Sequence, residues 1–179
     1  NIGLEDPVYF VADIAANHDG DLERAKDLIY LAAESGADAA KFQNFKAKSI
    51  VSNIGFADLG DKLSHQSKWD NDVFTIYDRV SVPLHWTKEL KQTCDKACIH
   101  YFTAPYGTDM ISTLSTYVCA WKIGSGDITW HSHIEAIAKD GKPVLLATGA
   151  SEMYEVDLAV KLISKHNDSL VLMQCNTNY

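Results

Sequence analysis

Six short apolar runs along the chain each end in a group of polar residues, and this recurring pattern is the clearest feature of the sequence. The runs occupy residues 8–20, 37–43, 100–105, 119–127, 143–149 and 170–179. Short runs rich in β-branched and aromatic residues predict β-strands. In a parallel barrel the carboxyl ends of all strands meet on one face, where the loops build the active site. The pattern therefore predicts that the polar groups at the six strand ends lie near one another.

The segments between these runs carry apolar residues at helical spacing. In 21–36 the apolar positions recur every three or four residues, Asp19 or Asp21 provides an N-cap, and Gly36 ends the helix. Further helices are predicted near 86–98, 108–116, 131–140 and 152–166. Strands that alternate with crossover helices form a parallel sheet. Six such units form either an open six-stranded sheet or about six of the eight units of a (β/α)8 TIM barrel.

The segment 44–85 interrupts this alternation. It is rich in Asp, Ser, Lys and aromatic residues and lies between the second strand and the helix that should follow it. Long loops in compact domains are usually lids or binding loops. Because this segment begins at the carboxyl end of a strand, we interpret it as a substrate-binding loop.

Composition and charge narrow the class of protein. The 179 residues suffice for one well-buried domain, with 46% hydrophobic and 22% charged residues and a net charge of −8. The acidic balance argues against nucleic-acid binding, and no apolar run reaches the roughly 20 residues that a membrane helix needs. No secretory signal or disulfide framework is recognisable, which predicts a cytoplasmic protein. Cys119 and Cys175 lie in apolar runs and are predicted to be small core residues.

Two lysines lie inside strand-like segments, where an unpaired ammonium group is costly to bury. Alternation along the strands places Lys41 and Lys122 on the same faces as small neighbours, which leaves room around each side chain. Two ammonium groups at one barrel mouth predict a site for a phosphate or carboxylate group. The alternative is that each lysine forms an ion pair with a neighbouring Asp or Glu.

Hydroxyl and carboxyl groups beside short glycine turns add to this predicted anion site. Ser125 lies in a Gly-Ser-Gly turn and Thr148 precedes a glycine, each directly after a predicted strand. Glycine lets the backbone approach an anion, and a hydroxyl group can donate to it. Asp13 and Asp127 are candidate proton carriers in acid–base chemistry. The alternative is that each caps a helix or pairs with a lysine.

Histidine and tryptophan give weaker signals. His18 is interpreted as a residue that hydrogen-bonds its own loop, with substrate contact as the alternative. His131 and His133 lie where a helix starts, which does not favour a metal pair. The four tryptophans are interpreted as packing residues rather than a stacking platform: Trp69, Trp86, Trp121 and Trp130.

Five motifs, taken in order, resemble the sialic acid synthase family, which comprises the N-acetylneuraminate synthases and their legionaminic and pseudaminic acid relatives. The motifs are VADIAANHDGDLERAKDLIYLAAESGADAAKFQ, FTAPYG, WKIGSGDITW, GKPVLLATGAS and LMQCNTNY. The resemblance spans nearly the whole chain and is weakest across 44–85. The ordered set is specific, whereas no single motif would be.

The resemblance implies a TIM barrel that condenses phosphoenolpyruvate with an N-acetylmannosamine-type sugar. The products would be a nine-carbon 2-keto sugar acid and phosphate, and a divalent metal, Mn²⁺ or Mg²⁺, would polarise the sugar aldehyde. It also implies that two histidine metal ligands, the last two βα units and a small C-terminal antifreeze-like domain would follow Tyr179. Residues 1–179 would then be a partial synthase domain, inactive by itself, of an enzyme that forms a homodimer.

The resemblance assigns roles to individual residues as well. Lys41 and Lys122 match lysines that hold phosphoenolpyruvate, and Asp127 matches an acidic residue after the Gly-Ser-Gly turn. With Asp13 they make up the expected catalytic set. Substrate contacts are expected from seven residues at strand ends and in loops: Asn17, Gln43, Asn71, Thr103, Ser125, Thr148 and Tyr179.

Two departures from the family pattern keep other functions open. The family's first-strand motif AEIG is ADIA at residues 12–15 of this chain. Asp13 thus replaces a glutamate, and its side chain is shorter by one methylene group. The motif STG after the fifth strand reads ATG at 147–149 and lacks one hydroxyl group. The alternatives are another phosphoenolpyruvate-dependent keto-sugar-acid synthase and a non-catalytic sugar- or phosphate-binding barrel.

Overall fold

The computed structural model describes residues 2–52, 54–55 and 72–177, and its central element is one sheet of six parallel strands. The strands lie in chain order, so that each is hydrogen-bonded to the next. They are β1 Val11–Ala15, β2 Ala39–Asn44, β3 His100–Pro105, β4 Trp121–Ile123, β5 Val144–Ala147 and β6 Leu170–Met173. The predicted repeat of parallel βα units is thus confirmed as a six-stranded half-barrel, whereas the complete eight-stranded barrel stays a prediction.

Helices connect the strands and cover the outer face of the sheet. They are α1 Leu22–Glu34, α2 Ala47–Ile50, α3 Val73–Val80, α4 Thr87–Lys96, α5 Thr108–Ser115, α6 His131–Lys139 and α7 Met153–Ile163. Short 3₁₀ helices lie at Leu84–Trp86 and Ser125–Asp127. The described parts of the segment 44–85 contain the short helices α2 and α3, and the role of this segment as a substrate-binding loop stays a prediction.

Helix α1 shows how local sequence sets the boundaries of an element. The Oδ1 atom of Asp21 accepts hydrogen bonds from the backbone N–H groups of Glu23 and Arg24 at 2.8 and 3.1 Å, which satisfies two free donors of the first turn. Gly36 follows the helix with φ +86°, a conformation that glycine adopts without strain. The buried residues Ala25, Ile29 and Ala32 recur at the predicted helical spacing.

The hydrophobic core lies between the sheet and the helices. Strand residues that point outward to the helices are fully buried, among them Phe42, Trp121 and Leu146. The indole N–H of Trp121 donates to Asp140 Oδ2 at 2.8 Å, which satisfies its one polar group in the core. Residues of opposite parity point to the concave face of the sheet. This alternation decides which side chains reach the functional site.

Two further features of the described residues bear on the class of protein. Their helices are all too short or too polar to cross a membrane. Cys94 is buried, but Cys119 is exposed and Cys175 is only partly buried. Core positions were therefore the wrong prediction for Cys119 and Cys175, because each lies beside a strand end rather than within the outward-facing layer.

Candidate functional site

A cavity of about 750 Å³ opens on the concave side of the sheet at the carboxyl ends of the strands. All four residues expected to be catalytic line it: Asp13, Lys41, Lys122 and Asp127. Gln43 and Ser125, two of the expected substrate contacts, also line it. The structure therefore brings together polar side chains that lie more than 110 positions apart in the sequence, from 13 to 127.

Lys41 lies on β2 directly beside Asp13 on β1, since the two residues are partners in the parallel register. Lys41 Nζ is 2.7 Å from Asp13 Oδ1, and the side chains are 7% and 63% exposed, respectively. Burial makes the carboxylate a necessary partner for the ammonium group, because an unpaired buried charge is costly. The ion-pair interpretation is therefore confirmed for Lys41, and the same pair lies in the wall of the cavity.

Lys122 projects from β4 into the same cavity and is partly buried. Its Nζ donates a hydrogen bond to the carbonyl oxygen of Ile123 at 2.7 Å. Burial, followed by repulsion from Lys41, lowers the pKa of Lys122 to about 8. A nearby anion would oppose both effects, so the position of Lys122 favours an anionic ligand.

Asp127 ends the 3₁₀ turn that follows β4. The backbone N–H of Asp127 donates to Gly124 O at 3.1 Å, which closes the turn and directs the side chain towards the strand ends. Burial raises the pKa of Asp127, and the positive charge of Lys122 opposes that rise. A partly buried carboxyl group near Lys122 can hold a proton and release it, as acid–base chemistry requires.

The hydroxyl groups after β4 and β5 have different surroundings. Ser125 Oγ accepts a hydrogen bond from the backbone N–H of Gly149 at 3.0 Å and lies in the cavity wall. Thr148 Oγ1 donates to the carbonyl oxygen of Met173 at 3.2 Å and lies outside that wall. The bond between Ser125 and Gly149 links the two glycine turns that follow β4 and β5.

Thr103 and Asn17 are not brought to the cavity. Thr103 is fully buried, and its hydroxyl group donates to Asn44 Oδ1 at 2.8 Å on the helix-facing side of β3. Its neighbour Ala104 takes the cavity position, because successive strand residues face opposite sides. Asn17 Nδ2 donates to the carbonyl oxygen of Ile14 at 2.9 Å and stabilises its own turn. The predicted contacts of Asn71 and Tyr179 lie outside the described residues.

Aromatic side chains form a part of the cavity wall that the sequence did not reveal. They are Phe45, Tyr77, Tyr106 and Trp130. The ring of Phe45 packs against those of Tyr77 and Tyr106, with centroids 5.6 and 6.3 Å apart. Alternation continued past the strand ends, from Gln43 to Phe45 and from Ala104 to Tyr106, could have identified two of them.

Two of the histidines noted in the sequence, His18 and His133, have structural partners. His18 is fully buried, its Nδ1 accepts from the backbone N–H of Gly20 at 3.1 Å, and its ring packs on Trp86. This confirms the interpretation of His18 as a loop residue. His133 Nε2 lies 2.9 Å from the carbonyl oxygen of Pro105. Within residues 2–52, 54–55 and 72–177, no three His, Cys, Asp or Glu side chains are grouped to hold a metal ion.

Comparisons with known proteins agree with this geometry. The NeuB family model matches residues 28–179. The chain is 32% identical to an N,N'-diacetyllegionaminic acid synthase of Campylobacter jejuni over 94% of its length, and 31% identical to one of Legionella pneumophila over 96%. The structure also resembles a sialic acid synthetase of Leptospira borgpetersenii solved with citrate, with a TM-score of 0.81 and 26% identity over 97% of this chain and 56% of that one. The chain spans about half the length of the curated relatives, 51% and 49% respectively.

Proposed function

Because the chain belongs to the NeuB family, we propose that it forms part of an enzyme that condenses phosphoenolpyruvate with an N-acetylmannosamine-type sugar. The products are a nine-carbon 2-keto sugar acid and phosphate. The family comprises sialic acid-type synthases, which supports a role in sugar-acid synthesis. The observation that carries the proposal is the meeting of Lys41, Lys122 and Asp127 in one cavity at the strand ends.

The two lysines suit the negative charges of phosphoenolpyruvate. They line the same cavity, and the charge of Lys41 is close enough to lower the pKa of Lys122. A phosphate or carboxylate group between them would relieve this repulsion, and Ser125 would add a hydroxyl donor from the adjacent turn. In this proposal the anion replaces part of the interaction between Lys41 and Asp13, so substrate binding releases the Asp13 carboxylate.

The carboxyl groups provide the proton transfers that the condensation needs. As C3 of phosphoenolpyruvate bonds to the sugar aldehyde carbon, the aldehyde oxygen gains negative charge and takes up a proton. Asp127 is the proposed donor, because burial raises its pKa and so favours its protonated form. Water adds at C2 and loses a proton, for which the released Asp13 is the proposed acceptor. The C–O bond to the phosphate then breaks, the C2 hydroxyl group becomes the keto group, and its proton leaves with the phosphate. Return of the proton from Asp13 to Asp127 through solvent restores the starting state.

The divalent metal implied by the family resemblance, Mn²⁺ or Mg²⁺, has no ligand set among the described residues. The Nε2 atom of the buried His133, whose ring stacks on the cavity residue Trp130, lies against the carbonyl oxygen of Pro105. The residues described therefore do not fit a metal site of their own, and the steps assigned above use side chains alone. We propose that the six strands form part of an eight-stranded barrel in a cytoplasmic, homodimeric enzyme.

The proposal is tested by measuring phosphate release from phosphoenolpyruvate by the full-length gene product with Mn²⁺ or Mg²⁺ added. Release that depends on N-acetylmannosamine or a related N-acyl sugar supports it. Release only with a pentose phosphate acceptor would favour another keto-sugar-acid synthase, and binding without turnover would favour a non-catalytic protein. Lys122→Ala should abolish most of the release. Lys165→Ala, which removes an exposed lysine outside the cavity, is the matched control.

A further inference from the structure

The cavity is lined by two chemically different sets of side chains. One set is charged and comprises Asp13, Lys41, Lys122 and Asp127. The other set is aromatic and comprises Phe45, Tyr77, Tyr106 and Trp130. A small, highly charged acid is matched by the charged set alone. Aromatic rings instead pack favourably against C–H and methyl groups of a ligand, because the contact buries apolar surface away from water.

Trp130 differs from the other tryptophans of the described residues. Trp121 is fully buried in the core, and Trp86 packs against the core. Trp130 remains 38% exposed although it is one of the largest apolar side chains in the chain. Its exposed surface borders the cavity, where a ligand would remove it from water.

The position of Trp130 is fixed on several sides. Its backbone N–H donates to the carbonyl oxygen of Asp127 at 2.8 Å, so the ring is tied to the turn that carries the proposed proton donor. Trp130 also forms the N-cap of α6. Its ring stacks on His133 with centroids 4.4 Å apart and planes at 18°. His133 is only 1% exposed and is held by its contact with Pro105.

Stacking on His133 occupies one face of the indole ring, and 38% of the residue remains exposed in the cavity lining. A flat, rigidly held apolar surface of this kind binds a ligand with little loss of side-chain freedom. Its location next to Asp127 places it where the sugar must lie if Asp127 protonates the aldehyde oxygen. The ligand group it fits is therefore an apolar substituent of the acceptor rather than a part of phosphoenolpyruvate.

We infer that Trp130 is a specificity-determining residue that packs against the N-acyl group of the acceptor sugar. This inference rests on the proposed function, since it assigns one residue of the same cavity to one of the two substrates. It predicts that the protein prefers N-acylated amino sugars to the corresponding free amines. It also predicts that longer acyl chains retain part of the contact.

The test compares Trp130→Ala, Trp130→Phe and Tyr154→Ala in the full-length gene product. Tyr154 is an exposed aromatic residue on α7, outside the cavity, and serves as the matched control. Trp130→Ala should raise the KM for N-acetylmannosamine by about tenfold, the size of one good aromatic contact. The KM for phosphoenolpyruvate should change by less than about twofold, because Trp130 is not expected to contact this substrate. Trp130→Phe should recover part of the loss, and Tyr154→Ala should behave as wild type.

The outcomes separate this inference from the proposed function. A KM for N-acetylmannosamine that Trp130→Ala leaves unchanged, or an equal rise in the KM values of both substrates, would overturn the inference and leave the function standing. If wild type shows no turnover, calorimetric binding of N-acetylmannosamine decides the matter. Binding that weakens in Trp130→Ala supports the inference although the function fails, and absence of sugar binding overturns both.

Discussion

Lys41 Nζ lies 2.7 Å from Asp13 Oδ1, and the two residues are register partners on neighbouring parallel strands. The pair is asymmetric, because the lysine is almost fully buried while 63% of the aspartate side chain is exposed. The exposed aspartate can therefore exchange Lys41 for water, whereas the buried lysine needs a negative charge nearby. This asymmetry suits a site in which an anionic substrate replaces the carboxylate.

Replacement of Asp13 should affect turnover more than substrate binding. Asp13→Asn removes the proposed proton acceptor and should lower kcat by about 10²-fold or more, the usual contribution of acid–base catalysis. The KM for phosphoenolpyruvate should not rise, because both lysines remain and Asp13 no longer competes with the substrate for Lys41. Loss of the carboxylate beside the buried ammonium group should lower the stability of the free protein, so thermal unfolding must show that the variant is folded in the assay. Asp13→Glu keeps a carboxylate at the position and is the control that should retain turnover. A normal rate in Asp13→Asn would show that the proton is taken up elsewhere.

Binding of phosphoenolpyruvate should weaken as the pH rises above about 8. The lowered pKa of Lys122, about 8, means that its ammonium form prevails below this pH and is lost above it. Each pH unit above the pKa should then cost about tenfold in affinity, since binding favours one bound proton. Titration calorimetry between neutral and alkaline pH measures this dependence. Lys122→Arg stays charged and should flatten the curve, and identical curves for both proteins would contradict the assignment.

Thr103 and Ser125 should separate a structural hydroxyl group from a functional one. Thr103→Val removes the buried hydrogen bond to Asn44 and should lower the free energy of unfolding by about 1–2 kcal/mol. It should leave the KM for phosphoenolpyruvate unchanged. Ser125→Ala should raise that KM while changing stability less. Urea unfolding and steady-state kinetics on both variants measure the difference, and a reversed pattern would place Thr103 in the site after all.

Glycine at position 20 should be indispensable for the contact between the first turn and α3. Gly20 has φ +80°, and a Cβ atom added there would lie 2.6 Å from the carbonyl oxygen of Arg79. Gly20→Ala should therefore destabilise the fold by about 2 kcal/mol or more. Gly36→Ala is a matched control, because its φ is +86° but nothing lies within 4 Å of the added atom. The control should cost only about 1 kcal/mol of backbone strain in the unfolding free energy.

Stability should fall as the pH drops through the histidine range. Burial lowers the pKa values of His18 and His133 below the ordinary value of 6.5. The unfolded chain then binds protons that the folded protein does not, so stability is full above about pH 6.5 and decreases below it. Thermal unfolding between pH 7.5 and 5 follows this change. His18→Asn keeps an acceptor for Gly20 and should make the decline shallower, whereas His131→Asn, at an exposed position, should not.

The parts of the fold that follow from periodicity could be predicted from the sequence. The spacing of Ala25, Ile29 and Ala32 defines α1, and strand alternation puts Lys41 and Lys122 on the concave face. These predictions hold because each helix or strand buries one of its faces. The buried positions then recur every three or four residues in a helix and every second residue in a strand. The segment 44–85 was harder, since its polar composition hides the short helices α2 and α3.

The errors at the site have a geometric cause. Thr103 and Ala104 are adjacent in the sequence, and a change of one position moves a strand residue to the opposite face. Only the register with β2, in which Gln43 lies beside Ala104, fixes which of the two faces the cavity. Trp130 was missed for another reason. It follows a 3₁₀ turn rather than a strand, so no strand pattern assigns it to the site.

The most direct test of the central claim follows carbon rather than phosphate. The full-length gene product is incubated with uniformly ¹³C-labelled phosphoenolpyruvate and N-acetylmannosamine, and the products are analysed by mass spectrometry. We expect a nine-carbon keto acid that carries every labelled carbon, and its loss in Lys122→Ala but not in Lys165→Ala. Labelled pyruvate as the sole product, or an equal yield of keto acid from Lys122→Ala, would contradict a site in which Lys41 and Lys122 hold phosphoenolpyruvate for attack on a sugar.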